Sequence, residues 1–158
     1  MSNPTRWWRW LIISAVVIVL DQISKQWIVH NFAYREVLAL LPSFNLTLAY
    51  NSGAAFSFLA GAGGWQRGFF AAIAVVASVV IVHLLRKHPQ QKLFCLALSL
   101  ILGGALGNLW DRLTIGQVVD FLDVYLNDYH WPAFNIADSA ITVGAVLMVW
   151  DGFKNKPD

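Results

Sequence analysis

Hydrophobic positions along this chain fall into four long runs, and between them lie two stretches of a different period. Leu11 to Leu20 is apolar except for Ser14, and the pattern stays compatible with a helix through Trp27 and Ile28. Phe69 to Leu85, Leu93 to Leu109 and Ile136 to Phe153 are the other three. About 20 residues rising about 1.5 Å each cross a hydrocarbon core, so the pattern predicts transmembrane helices over 10–28, 69–85, 93–109 and 136–153. The alternative for the first run is a cleaved signal peptide with a basic head. Against it, no small-residue cleavage site follows, and Asp21-Gln22 interrupts where one belongs.

Segments 30–67 and 111–135 read differently. In FNLTLAYN, Phe44, Leu46, Leu48 and Tyr50 alternate with Asn45, Thr47, Ala49 and Asn51, the two-residue repeat of a half-buried strand. The turn signal Asn51-Ser52-Gly53 follows, and then AAFSF, with Phe56 and Phe58 again on one side. The later run VVDFLDVYL adds a strand to the same sheet. The expectation is one α-helical integral membrane domain, four transmembrane helices plus a small β-sheet at one surface. That sheet either holds something greasy or is a compact cap with its own small core.

Composition agrees, since 158 residues with 58% hydrophobic and 13% charged are too apolar for an ordinary soluble domain. A formal net charge of +2, with the basic residues at the ends of apolar runs, gives no basic face for nucleic acid. The placement speaks about orientation instead. Arg6, Arg9, Arg86, Lys87, Lys92, Lys154 and Lys156 flank one side of four consecutive spans, and only Lys25, Arg35, Arg67 and Arg112 flank the other. Both termini are therefore expected in the cytoplasm and both strand regions outside it. The single cysteine, Cys95, excludes an internal disulfide and reads as a small buried hydrophobe.

Candidate chemistry gathers at the outer ends of the spans. Ionisable groups at membrane depth are expensive, so acids clustered where apolar segments meet water imply function. GGALGNLWDRLTIGQVVDFLD places Asn108, Asp111, Arg112, Asp120 and Asp123 at the end of the third span, and FNIADSAI places Asn135 and Asp138 at the start of the fourth. Asp120 lies among Val118, Val119, Phe121 and Leu122, company that raises a carboxyl pKa unless a partner is found. Two carboxyl groups held close share a proton, so one can activate water while the other polarises a carbonyl. Asp120 and Asp138 are the expected catalytic pair, and this chemistry needs neither metal nor cofactor.

Around the pair, Asp21 and Lys25 stand four apart on one helix face and are expected to pair in support of the site. Ser24 beside Lys25 invites a Ser/Lys peptidase, but adjacent helix positions diverge. Arg112 is expected to form an ion pair with Asp111. Gly103 and Gly107 have the GxxxG spacing of a helix packing face, with Gly104 alongside. Asp128 and His130 match no metal motif by spacing, and His83 and His88 read as interfacial side chains. Two rivals remain: a small proton-coupled transporter, which predicts acids at the bilayer midplane, and a noncatalytic assembly subunit, in which Asn135 and Arg112 merely satisfy the two aspartates.

DQISK (21–25), NSGAAFSF (51–58), GGALGNLWDR (103–112), VVDFLD (118–123) and FNIADS (134–139) occur in this order, and with them nearly the whole chain resembles the bacterial lipoprotein signal peptidases, signal peptidase II. The resemblance implies an aspartic endopeptidase of the inner membrane. It would remove the signal peptide from diacylglyceryl-modified prolipoproteins on the N-terminal side of the lipidated cysteine. It implies Asp120 and Asp138 as the dyad, and Asn51, Gly53, Gly104, Asn108, Asp111, Arg112, Asn135, Asp21 and Lys25 as positions that line or support the site. It further implies a periplasmic β-sheet cradle, contact with membrane lipids and sensitivity to globomycin-type inhibitors.

Overall fold

The computed structural model describes residues 6–53 and 64–154. Four helices, α1 (Arg9–Asn31), α2 (Trp65–Lys87), α3 (Lys92–Thr114) and α4 (Ile136–Lys154), are each long and apolar enough to cross a membrane. α1, α2 and α3 run past the apolar runs that predict them, because Trp65, Gln66, Asp111 and Arg112 continue the helical backbone beyond the hydrocarbon. The second expected strand, with Phe56 and Phe58, and most of the glycine loop after it lie outside the described residues, as does Lys156.

α3 is the core of the bundle and packs on all three other helices. Its small residues make this possible. A Cβ on Gly103 would fall 2.7 Å from Val17 Cβ and 2.9 Å from Ser14 O of α1, and one on Gly104 would collide with Ala137 O of α4. Gly144 of α4 answers in kind, with Ala97 O of α3 at 2.7 Å from its notional Cβ. With no hydrophobic drive between helices in lipid, such close backbone approach is what holds them together. α2 packs chiefly on α3 and presents Phe69, Ile73, Val76, Val79 and Val80 outward, an apolar surface suited to acyl chains. Trp10 Nε1 donates to Pro89 O at 3.2 Å, which puts the start of α1 beside the α2–α3 turn. Arg9, Arg86, Lys87, Lys92 and Lys154 thus mark one end of the bundle, and the sheet lies toward the other.

The sheet has four antiparallel strands in sequence order, β1 (Val37–Leu41), β2 (Phe44–Asn51), β3 (Val118–Leu126) and β4 (Tyr129–His130). VVDFLDVYL does join FNLTLAYN, with Leu46 opposite Leu122 and Ala49 opposite Asp120. The register shifts between Leu46 and Ala49, and such a bulge re-aims the side chains beyond it. The alternation of β2 is therefore real, but its buried face is not the apolar one expected. Asn45 and Thr47 are buried while Phe44 and Leu46 are only half-buried. The reason is a polar seam under the sheet, where Asn45 Nδ2 donates to Asp123 Oδ2 at 2.8 Å. Past the bulge, Leu48 joins Ile28, Val119 and Phe121 in a small apolar core that seats the sheet on α1.

Candidate active site

The site begins inside the helices. Asp21 and Lys25 are fully buried, and a buried charge is tolerable only when paired and hydrogen-bonded. Lys25 Nζ lies 2.7 Å from Asp21 Oδ2, 2.9 Å from Asp111 Oδ2 and 2.9 Å from Asn108 Oδ1, so its three N–H donors serve three acceptors on α1 and α3. The spare oxygens are also occupied. Asp21 Oδ1 accepts the Ala137 N–H at 2.9 Å, a carboxylate on the first turn of α4 where the helix dipole favours it. Asp111 Oδ1 accepts Gln22 Nε2 at 2.9 Å, and Asp111 Oδ2 accepts the Val119 N–H at 3.2 Å. One ionic knot thus fixes α1, α3, the start of α4 and the start of β3.

The carboxyl pair sits on this knot. Asp120, 3% exposed on β3, accepts Asn135 Nδ2 at 2.7 Å on Oδ1 and Asn51 Nδ2 at 3.1 Å on Oδ2. Asp138, in the first turn of α4, accepts Asn108 Nδ2 at 2.8 Å on Oδ1, and its N–H donates to Asn135 Oδ1 at 2.9 Å. Asn135 and Asn108 are themselves joined at 3.2 Å. Two asparagines therefore space two aspartates, and Lys25 orients one of the asparagines through its Oδ1. Burial, then the neighbouring Asp138 charge, push the Asp120 pKa up to about 7, against the asparagine hydrogen bonds and the Lys25 ammonium, which favour the carboxylate. A carboxyl poised near neutrality can give or take a proton at physiological pH.

Every proposed site position except Gly53 and Arg112 belongs to this core or packs directly against it. Gly104 acts through packing, since its lack of a side chain admits the Ala137 backbone one residue before Asp138. Gly53 and Arg112 form an outer support, with Arg112 Nη2 donating to Gly53 O at 2.8 Å and the Gly53 N–H donating to Asn51 Oδ1 at 2.9 Å. The expected Asp111–Arg112 ion pair does not form. Adjacent helix residues point apart, and Asp111 turns to Lys25 while Arg112 turns to Gly53 and the Asn108 carbonyl. Arg112 also touches neither aspartate through the hydrogen bonds of its guanidinium, contrary to the arrangement the assembly-subunit reading requires.

Sequence reasoning passes over Gln22, whose Nε2 reaches Asp21, Gly107 O and Asp111. It also passes over Asn45 and the role of Asp123 under the sheet, the latter joined to His130 Nδ1 at 2.8 Å. Gln22 is legible in principle, one residue from Asp21 at the end of the apolar run Leu11 to Leu20. Among the described residues no three His, Cys, Asp or Glu side chains converge as a metal site.

The fold and the site define a class: a four-span membrane protein that holds a carboxyl pair, Asp120 buried and Asp138 half-buried, at the sheet-bearing end of its bundle. The family model described as signal peptidase (SPase) II matches residues 13–154, and the chain belongs to the signal peptidase II family, whose members are proteases. The lipoprotein signal peptidase of Burkholderia mallei is 59% identical over 142 residues, covering 90% of this chain and 86% of that one. That of Ralstonia nicotianae is 59% identical over 142 residues, covering 90% and 82%. A bacterial membrane enzyme structure solved by the in meso method at 2.3 Å superposes with TM-score 0.85 at 31% identity, covering 100% of this chain and 97% of the other. A second, at 1.9 Å, gives 0.84 at 32% identity over 99% of both.

Proposed function

We propose that the chain is an aspartic endopeptidase in which Asp120 and Asp138 are the catalytic dyad. As a member of the signal peptidase II family it cleaves lipoprotein signal peptides. The observation that carries the aspartic assignment is the shared bracing of the two carboxyl groups: Asn135 bonds both residues, and Asn108 ties Asp138 to Lys25.

In this reading the pair holds one proton near neutral pH. The ionised carboxylate takes a proton from water as the oxygen attacks the scissile carbonyl carbon. The protonated carboxyl donates to the carbonyl oxygen. The tetrahedral intermediate then collapses, the C–N bond breaks, and the amine leaves with a proton returned by the pair. No covalent enzyme intermediate forms, and the knot around Lys25 keeps the geometry unchanged through the cycle.

The substrate is a diacylglyceryl-modified prolipoprotein, cut on the N-terminal side of its lipidated cysteine. Its acyl chains stay in the bilayer while the sheet borders the peptide. The enzyme resides in a bacterial inner membrane, with the basic bundle end and both termini cytoplasmic and the dyad near the periplasmic face. Globomycin-type inhibitors compete at the same site. A proton-coupled transporter is disfavoured by family membership and by depth: Asp138 lies about 24 Å along α4 from Lys154, well past the middle of a core about 30 Å thick.

The test is cleavage of a synthetic diacylglyceryl lipobox peptide by purified protein with a chelator present. Wild type cleaves, and Asp120→Asn and Asp138→Asn do not, although both fold. Turnover by either variant, or loss of wild-type turnover on chelation, overturns the aspartic mechanism.

A further inference from the structure

A groove of about 650 Å³ opens on the flank of the bundle away from α4. Leu11, Ala15 and Ile18 of α1, Val79 and Val82 of α2, and Leu106 of α3 line it. Ser14 and Ser78 also face it, but their hydroxyls are spent: Ser14 Oγ donates to Ser99 O at 2.8 Å and Ser78 Oγ to Ala74 O at 2.7 Å. The wall therefore offers an occupant no unmet hydrogen bond. Its α1 side runs two turns from Leu11, about 10 Å, which covers about a third of a hydrocarbon core counted from the basic end of the bundle.

The basic end of the groove is different in kind. His83 and Arg86 line it there, and no acidic residue does. The Arg86 guanidinium carbon lies 5.0 Å over the Trp7 ring, at the headgroup level such aromatics occupy. Among the described residues it takes part in none of the ion pairs. An apolar slot closed at the membrane surface by an unpaired guanidinium is complementary to one chemistry: an acyl chain attached to an anionic phosphate headgroup.

We propose that this groove is a binding site for an anionic phospholipid, with an acyl chain between α1 and α2 and the headgroup phosphate on Arg86 and His83. The signal-peptide helix of the substrate is the other apolar candidate, and two arguments exclude it. Signal peptides carry a basic segment at the cytoplasmic side, which Arg86 would repel. α4, which carries Asp138, contributes nothing to the groove, so a peptide seated there is not delivered to the dyad.

The experiment uses the full chain in nanodiscs of equimolar phosphatidylglycerol and phosphatidylcholine, released into native mass spectrometry to count retained lipids. Wild type retains phosphatidylglycerol over phosphatidylcholine at a ratio of about five to one, against one to one in the disc, the factor one cation near an anionic headgroup supplies. Arg86→Gln returns the ratio to that of the disc, Arg86→Lys keeps most of the preference, and Ala15→Trp, which fills the slot, loses the retained lipid. All three variants keep wild-type cleavage of a lipobox peptide in detergent. A wild-type ratio equal to the disc, a preference unchanged by both Arg86→Gln and Ala15→Trp, or displacement of the lipid by a synthetic signal-peptide helix overturns the proposal.

Discussion

Asn135 Nδ2 donates to Asp120 Oδ1 at 2.7 Å while the other end of the same amide, Oδ1, accepts the Asp138 N–H at 2.9 Å. One fully buried side chain therefore sets the spacing and part of the electrostatics of both aspartates. Its hydrogen bond favours ionised Asp120, so Asn135→Ala raises that pKa above about 7 and moves the acid limb of the kcat/KM profile to higher pH. Activity falls by about 100-fold or more, the scale of a misplaced acid–base group. A pH–rate profile checks both, and an unmoved limb would show that Asn135 is only structural.

The raised Asp120 pKa also bears on stability. The folded state holds this proton up to about pH 7 and the unfolded state releases it near pH 4, so stability falls as pH rises through that window. Above it the charged carboxylate is a standing cost of a few kcal/mol, since each pH unit separating the folded and unfolded pKa values costs about 1.4 kcal/mol. Asp120→Asn removes that cost. Its detergent melting temperature should exceed that of wild type at pH 8 and converge with it toward pH 4.

Lys25 is the sole cation inside the knot, and its removal leaves Asp21 and Asp111 buried without compensation. Lys25→Met should cost about 3–5 kcal/mol, the penalty of breaking a buried pair by one side. The triple change Lys25→Met, Asp21→Asn, Asp111→Asn should regain much of it. Thermal melts of the two proteins decide the matter, and equal melting points would mean that the charges are not coupled.

Gly104→Val tests packing alone. A side chain there collides with Ala137 O, so α4 must move outward by about an ångström or more, carrying Asp138 with it. Activity should fall by about 100-fold, while Gly68→Val, at a position where nothing lies within 4 Å, should leave it near wild type.

The helices and the place of Asp120 are legible in the sequence because each rests on a signal local to the chain: an apolar run of spanning length, or an aspartate set among apolar neighbours. β1 is not legible. VLALL has no alternation, and all five residues are exposed, so no buried face has shaped its pattern. β4 has only two residues and forms because Asp123 holds His130. The inverted face of β2 depends on a bulge and on a partner in β3 far along the sequence. The expected partner of Arg112 fails for the same reason, since what it bonds, Gly53 O, is a backbone atom 59 residues away. Short-range pattern reports which residues are unusual, and long-range geometry decides whom they meet.

The contact between Asp21 and the Ala137 N–H joins residues 116 apart. During synthesis the first helix must therefore wait: α3 brings Asp111 and Asn108 to Lys25, but Asp21 Oδ1 lacks its amide partner until the last helix arrives. A chain halted before α4 has neither Asp138 nor the amide that completes Asp21. On the proposed mechanism proteolytic power thus appears only once the last helix has joined the bundle, and no nascent fragment can cut.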